Sequence, residues 1–152
     1  LEGEKPDNEE ICRLINSALI DGVTVLSVYN DMQKLKELAY LDCQLLLEYD
    51  AGIPQGASER IRDLFAQTSL LVEKKGKNGI TEQDIIPMIR NLEISEENTG
   101  ELLLTVRVCC QNPSLNPMQL SAAIMKYLPD LKPDFVRCCR VEVYDTKENV
   151  FR

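Results

Sequence analysis

Apolar residues recur at intervals of three and four along most of this chain, and this spacing constrains its fold more than any other feature. Between residues 25 and 45 the apolar side chains that keep the interval are Val25, Val28, Met32, Leu35, Leu38, Leu41 and Leu45. Side chains three and four residues apart share one face of an α-helix, so the pattern predicts amphipathic helices. Turn-forming stretches such as KGKNG separate them.

Helix start and stop signals support this interpretation. Asp7 or Asn8 can cap a first helix, and Ser58 can cap one that runs through SERIRDLFAQTSLLVEKK. Pro117, which follows an asparagine cap, marks the start of a later helix that Pro129 ends. We therefore predict an all-α fold, either an antiparallel helix bundle or a short α-solenoid of about six to seven helices.

The C-terminal segment PDFVRCCRVEVYDTKENVFR allows two interpretations. Val136, Cys139 and Val143 fit one face of a helix, whereas CRVEVYD alternates in the manner of a β-strand. We interpret the segment as a helix and keep a β-strand as the alternative.

The length of 152 residues suits one domain with its own core. We expect a flexible acidic leader over residues 1–7 and a single helical domain over residues 8–152. The first residue is not methionine, so we expect a fragment of a larger protein. With no signal peptide and no apolar run long enough to span a bilayer, we expect an intracellular protein, cytoplasmic or nuclear, without a membrane partner.

Histidine is absent from the sequence. Without it the chain cannot form a Ser–His or Cys–His pair, which is the commonest way to activate a nucleophile. A general base would have to be a carboxylate, a lysine or a tyrosine, and the carboxylates here show no arrangement beyond that of solvated helix faces. We therefore predict a protein that is not an enzyme and that has no cofactor.

The six cysteines include two adjacent pairs, Cys109 with Cys110 and Cys138 with Cys139. Adjacent side chains on a helix point about 100° apart, so both thiols of a pair cannot easily bind one metal ion. Cysteine is also among the most frequently buried residue types. We predict that the pairs fill a reduced core and bind no metal, and we leave a disulfide or redox role open.

Three arginines flank the cysteine pairs, and they suggest a recognition surface. If the two helices pack together, Arg107, Arg137 and Arg140 would form one ridge. Tyr144 is a further candidate contact. Arginine and tyrosine are enriched at the energetically important centres of protein interfaces. We predict a scaffold or adaptor domain that receives a partner peptide or helix in a groove between helices, and a homo-oligomer stays open.

A helical nucleic-acid-binding module is the alternative function. Its contacts would be Lys74, Lys75 and Lys77, which form a short basic loop. The net charge of −8 weighs against it, because an acidic chain repels phosphate backbones.

Overall fold

The computed structural model describes residues 7–30, 33–76 and 79–152, and they form two compact units. The first unit extends to Lys34 and includes Arg152, and the second is Leu35–Phe151. The expected leader, except for its last residue, lies outside the described residues.

The described residues of the first unit include one helix, α1 (Asn8–Ala18). Asp7 caps it, as the sequence predicts: its carboxylate accepts a hydrogen bond of 2.7 Å from the Glu10 amide. None of the residues of α1 is fully buried.

Residues 23–29, which have no regular secondary structure, follow α1 in the same unit. The side-chain amide of Asn16 accepts a hydrogen bond of 2.7 Å from the Val25 amide and donates one of 2.9 Å to the Val25 carbonyl. Asn16 therefore satisfies both main-chain groups of Val25, as a neighbouring strand would.

The second unit contains six strands and two α-helices among its described residues. In chain order they are β1 (Leu38–Glu48), α2 (Ala57–Phe65), β2 (Leu71–Gly76), β3 (Gly79–Asp84), β4 (Ile89–Asn98), β5 (Glu101–Cys109), α3 (Met118–Tyr127) and β6 (Phe135–Asp145). Short 3₁₀ turns occur at Leu35–Glu37, Ile86–Met88 and Pro129–Leu131.

Four of the strands form an antiparallel sheet in the order β4-β5-β1-β6, and β2 pairs with β3 in a separate hairpin. Apart from the hairpin, the element order is β-α-β-β-α-β. With this strand order it is the split β-α-β, or ferredoxin-like, arrangement.

The predicted all-α bundle or solenoid is therefore wrong. The described residues form a mixed α/β fold with three helices, a four-stranded antiparallel sheet and a hairpin, and 39% of the chain is strand. The chain is not a helical repeat protein. The groove between antiparallel helices, predicted as the partner site, loses its basis with the bundle.

The error comes from the two central strands, β1 and β5. In β1, Leu45 and Leu47 are buried on the helix side of the sheet, while Leu46 points to the other face and is also half-buried. Apolar residues on both faces hide the two-residue alternation of a strand, and the spacing that remains imitates a helix. The segment LLVEKK, assigned to a helix, lies mostly in β2.

The core lies between one face of the sheet and helices α2 and α3. Alternate residues of the central strands are fully buried there, namely Cys43, Leu45, Leu47, Leu102, Leu104, Val106 and Val108. Ile61 and Leu64 of α2, with Leu120 and Ile124 of α3, complete the same cluster. Burial of these side chains is the main force that holds the sheet and helices together.

The helix start and stop signals in the sequence predicted α3 best and the other elements less well. The helix predicted between Pro117 and Pro129 is confirmed by α3. The helix predicted after Ser58 exists as α2, although Gly56, at φ 70°, stands at its cap position. The C-terminal segment predicted as a helix is β6, so the alternation of CRVEVYD was the correct signal.

Candidate functional site

The sheet has an open face, which we define as the side away from α2 and α3. Alternation along the strands and their register place on it Tyr40, Asp42, Gln44, Leu46 and Glu48 of β1, Glu101, Leu103, Thr105, Arg107 and Cys109 of β5, Asn91, Glu93 and Ser95 of β4, and Phe135, Arg137, Cys139, Glu142 and Tyr144 of β6. Two of the four residues predicted to bind a partner, Arg107 and Tyr144, meet at one end of this face.

Arg107 is the centre of a polar cluster that also includes Asp42, Tyr144 and Glu148. Its Nε and Nη2 atoms donate to the two carboxylate oxygens of Asp42 at 2.6 and 2.9 Å. The guanidinium carbon lies 4.1 Å from the centroid of the Tyr144 ring, and Nη1 donates to Glu148 at 3.3 Å. The Arg107 cluster therefore links β5, β1 and β6 side by side.

The electrostatics of the Arg107 cluster keep both partners ionised. The hydrogen bonds from Arg107 lower the pKa of Asp42 below its usual value, helped by the Arg107 charge and by a hydrogen bond from Tyr144 and opposed by burial. The same hydrogen bonds raise the pKa of Arg107. Two carboxylates and an aromatic ring already contact Arg107. Its main role is therefore structural, because it links neighbouring strands.

The other two predicted arginines lie on β6, away from Arg107. Arg137 is on the open face, 64% exposed, and its Nη2 lies 2.6 Å from a carboxylate oxygen of Glu48. Arg140 is opposite Cys43, so the register places it on the helix side, where it is exposed. The three arginines therefore do not form the single ridge that a helical interpretation requires.

Strand β6 forms one edge of the sheet, and part of its outer side is unoccupied by another described strand. Towards its end, Tyr144 forms a bridge with Val150, so that part of the edge is covered. We call residues 135–141 the free edge. Along the free edge, Phe135 is 58% exposed and Val141 is 56% exposed. Arg137 and Arg140 are also exposed to solvent.

Cys138 and Cys139 lie in β6, so their thiols point to opposite faces of the sheet, whereas Cys109 is the last residue of β5 and Cys110 forms an isolated bridge beyond it. Of the first pair, Cys109 is buried, as predicted, and Cys110 is half-buried, but Cys138 and Cys139 are exposed, which contradicts the prediction; Cys43, outside the pairs, is buried. All six cysteines are free thiols. Burial raises the pKa of Cys43 to about 12, with further contributions from Cys138, so this thiol stays protonated at neutral pH.

The lysines of the alternative function lie on and after β2. Lys74 donates to the Ser114 carbonyl at 3.5 Å. Lys75 belongs to β2, and Lys77 falls outside the described residues. Within residues 7–30, 33–76 and 79–152, no group of three histidine, cysteine or carboxylate side chains is placed to hold a metal ion.

Sequence reasoning missed the free edge itself and the exposed apolar residues Phe135 and Val141. The alternation of CRVEVYD was the signal for a strand, but nothing in the sequence says that this strand stands at an edge. Strand order depends on contacts between distant segments, such as β1 with β6.

Comparison with protein-family models, curated proteins and solved structures yields no match. Among the described helices, none is both long enough and apolar enough to cross a membrane.

Proposed function

We propose that this protein is an interaction domain that binds an extended, acidic segment of a partner protein by adding it to the free edge of β6. The observation that carries the proposal is the free edge, where residues 135–141 have no neighbouring strand on their outer side among the described residues. The main-chain N–H and C=O groups of an edge strand are a template for a further strand.

The dimensions of the free edge suit a short peptide segment. At about 3.3 Å per residue it extends roughly 20 Å, which matches a strand of ordinary length. Main-chain hydrogen bonds would supply much of the affinity, and side chains on both faces would supply specificity. Phe135 and Val141, near the two ends, offer apolar contacts to a partner's side chains.

The charge of the free edge favours an acidic partner. The segment FVRCCRV has two arginines and no carboxylate, whereas the whole chain has a net charge of −8. Arg140 has no carboxylate within ion-pair distance among the residues that the structure describes. A partner that places a glutamate or aspartate opposite Arg140 would gain a new ion pair and would be guided to the edge.

The same charges disfavour a second copy of this chain as the occupant. Antiparallel pairing of two β6 strands would bring the arginines of both copies onto one short ladder, and like charges close together destabilise a sheet. Arginines at an edge are also a known protection against self-association.

Hydrogen exchange on the whole chain tests the proposal, with a short synthetic peptide that alternates glutamate with valine as the probe. We expect the outward-facing amides among residues 135–141 to become protected when the peptide is added, because an added strand accepts their hydrogen bonds. The alternate amides already face β1. A matched peptide that alternates lysine with valine should give little protection.

Charge reversal at Arg140 tests the recognition step. We expect Arg140→Glu to weaken binding of the acidic peptide about three- to tenfold, because an exposed attraction becomes a repulsion. Arg62→Glu on α2 is the matched control and should leave the affinity unchanged. Protection confined to other parts of the chain, or equal effects of the two variants, would contradict the proposal.

A further inference from the structure

Two β-bulges lie at the same end of the sheet and border one cavity of about 270 Å³. The register shifts between Leu38 and Tyr40 in β1 and between Ile89 and Asn91 in β4, so Ala39 and Arg90 are the extra residues. A bulge bends its strand and redirects a side chain, and bulges occur often beside binding sites. Ala39 and Arg90 both line this cavity.

The described residues that line this cavity include two cationic side chains, Lys36 and Arg90, and no carboxylate. Its polar side chains come from Lys36, Tyr40, Arg90, Gln111, Asn112 and Thr146, and none of the described lining residues is a carboxylate. This is unusual in a chain with a net charge of −8. Cations without a neighbouring carboxylate in a concave site attract anions.

A second cavity on the open face shows the contrast. It measures about 310 Å³, and Arg90 also borders it, but the carboxylates there, Asp42 and Glu148, both bond to Arg107. The charge of the Arg107 cluster is thus satisfied internally, whereas Lys36 and Arg90 are available to a ligand.

Arg90 is held in a position that leaves donors free. Its guanidinium carbon lies 5.3 Å from the centroid of the Tyr40 ring, and Nη2 approaches the Tyr40 hydroxyl at 3.4 Å. A guanidinium that rests on an aromatic ring keeps the N–H groups along its edge for bidentate bonding to a carboxylate or phosphate.

We propose that the cavity between Lys36 and Arg90 binds a small oxyanion, a carboxylate or phosphate carried on a short aromatic or aliphatic group. Arg90 binds the oxyanion in a bidentate manner, Lys36 adds a second charge, and the Asn112 side chain donates a hydrogen bond. Gln111 Nε2 donates one hydrogen to the Leu35 carbonyl at 3.3 Å and has a second for the ligand. The apolar part contacts Leu38 and Pro113, which also line the cavity. The volume admits a phenyl phosphate or a benzoate but is small for a nucleotide. This site is separate from the free edge of β6 and does not depend on the proposed function.

Titration of the whole chain with phenyl phosphate, followed by amide chemical shifts, tests the site. We expect saturable shifts at Tyr40, Gln111, Asn112 and Thr146, and weaker binding of inorganic phosphate, which lacks the apolar group. A parallel titration with benzoate distinguishes the two oxyanions: the tighter ligand identifies whether phosphate or carboxylate is preferred. Phenol, which lacks the charge, should not bind.

Substitution of the two cations assigns the binding to this cavity. We expect Arg90→Gln to weaken phenyl phosphate binding about five- to tenfold, because it removes the bidentate, charge-assisted hydrogen bonds. Lys36→Gln should have a smaller effect, and Arg62→Gln, on the exposed side of α2, should have none. The proposal is overturned if no residue near the cavity shifts, or if all three variants bind equally well.

Discussion

The Asp42–Arg107 ion pair makes the stability of the sheet depend on pH. Both side chains are 24% exposed, and the Arg107 hydrogen bonds depress the pKa of Asp42 below the ordinary value of 3.8. A carboxyl group whose pKa is lower in the folded state stabilises the fold above its unfolded pKa. That contribution is lost as the pH falls through the depressed folded value.

We predict that Asp42→Asn lowers the free energy of unfolding by about 1 kcal/mol at neutral pH, because it weakens charge-assisted hydrogen bonds in a partly buried site. The difference from the unaltered protein should shrink as the pH falls well below 3.8, where Asp42 is protonated in both states. Urea denaturation across this pH range measures the effect. Asp63→Asn on α2 is the control, and a difference that persists in acid would contradict the assignment.

The thiols differ in reactivity because the strands expose them differently. Cys138 and Cys139 are exposed and Cys43 is buried. Burial raises the pKa of Cys138, and the neighbouring Cys43 thiol opposes that rise. A raised pKa reduces the fraction of reactive thiolate.

We predict that an aromatic disulfide reagent modifies Cys139 fastest in the native protein, Cys138 more slowly, and Cys43 and Cys109 only after unfolding. Cys139→Ser should remove the fastest phase of the absorbance change, whereas Cys109→Ser should leave that phase intact. A fast phase that survives Cys139→Ser would show that another thiol is accessible.

Strand β1 shows how far the sequence determines its own secondary structure. As a central strand it has apolar residues on both faces, and leucine is a strong helix former, so the local signal favoured a helix. Pairing with β5 and β6 overrides that preference, because each pairing satisfies main-chain groups and buries side chains far apart in the sequence. α3 needed no such information, since prolines mark both of its ends.

Adjacent leucines in β1 provide a test of this strand assignment. Leu45 is fully buried on the helix side, whereas Leu46 lies half-buried on the open face. We predict that Leu45→Ala destabilises the protein by about 2–5 kcal/mol through loss of core packing, and Leu46→Ala by about 1 kcal/mol. Thermal or urea denaturation of the two variants compares them directly, and equal effects would argue against the register.

The candidate sites show the same difference between local sequence signals and contacts made by distant segments. Arg107 and Tyr144 were both predicted to contact a partner, and the structure places the Arg107 guanidinium over the Tyr144 ring; partner binding itself stays a prediction. Arg90 and Lys36 carried no sequence signal, because a bulge and the convergence of distant segments create their cavity. The sequence shows which side chains are charged or aromatic. Which of them become neighbours depends on the strand order, which the local sequence does not specify.

The division of the chain into two units has a consequence for folding. All the residues of the buried core cluster lie between Cys43 and Leu131, within the second unit. A unit with its own core and its own hydrogen-bonded sheet is expected to fold alone.

We predict that the chain from Leu35 onward folds cooperatively without residues 1–34. Its free energy of unfolding should lie within about 1 kcal/mol of that of the sheet in the whole chain, because no core contact is removed. Circular dichroism during urea denaturation of both proteins provides the comparison. Loss of a cooperative transition in the shorter chain would show that the first unit is required.

The two exposed thiols of β6, Cys138 and Cys139, are adjacent in the sequence but face opposite sides of the sheet. A fluorescent label at Cys139 in the Cys138→Ser protein, and one at Cys138 in the Cys139→Ser protein, would therefore report on the two faces separately. A ligand that binds to the open face would change the emission of the label at Cys139 only. A strand that binds along the free edge would change the emission of both labels.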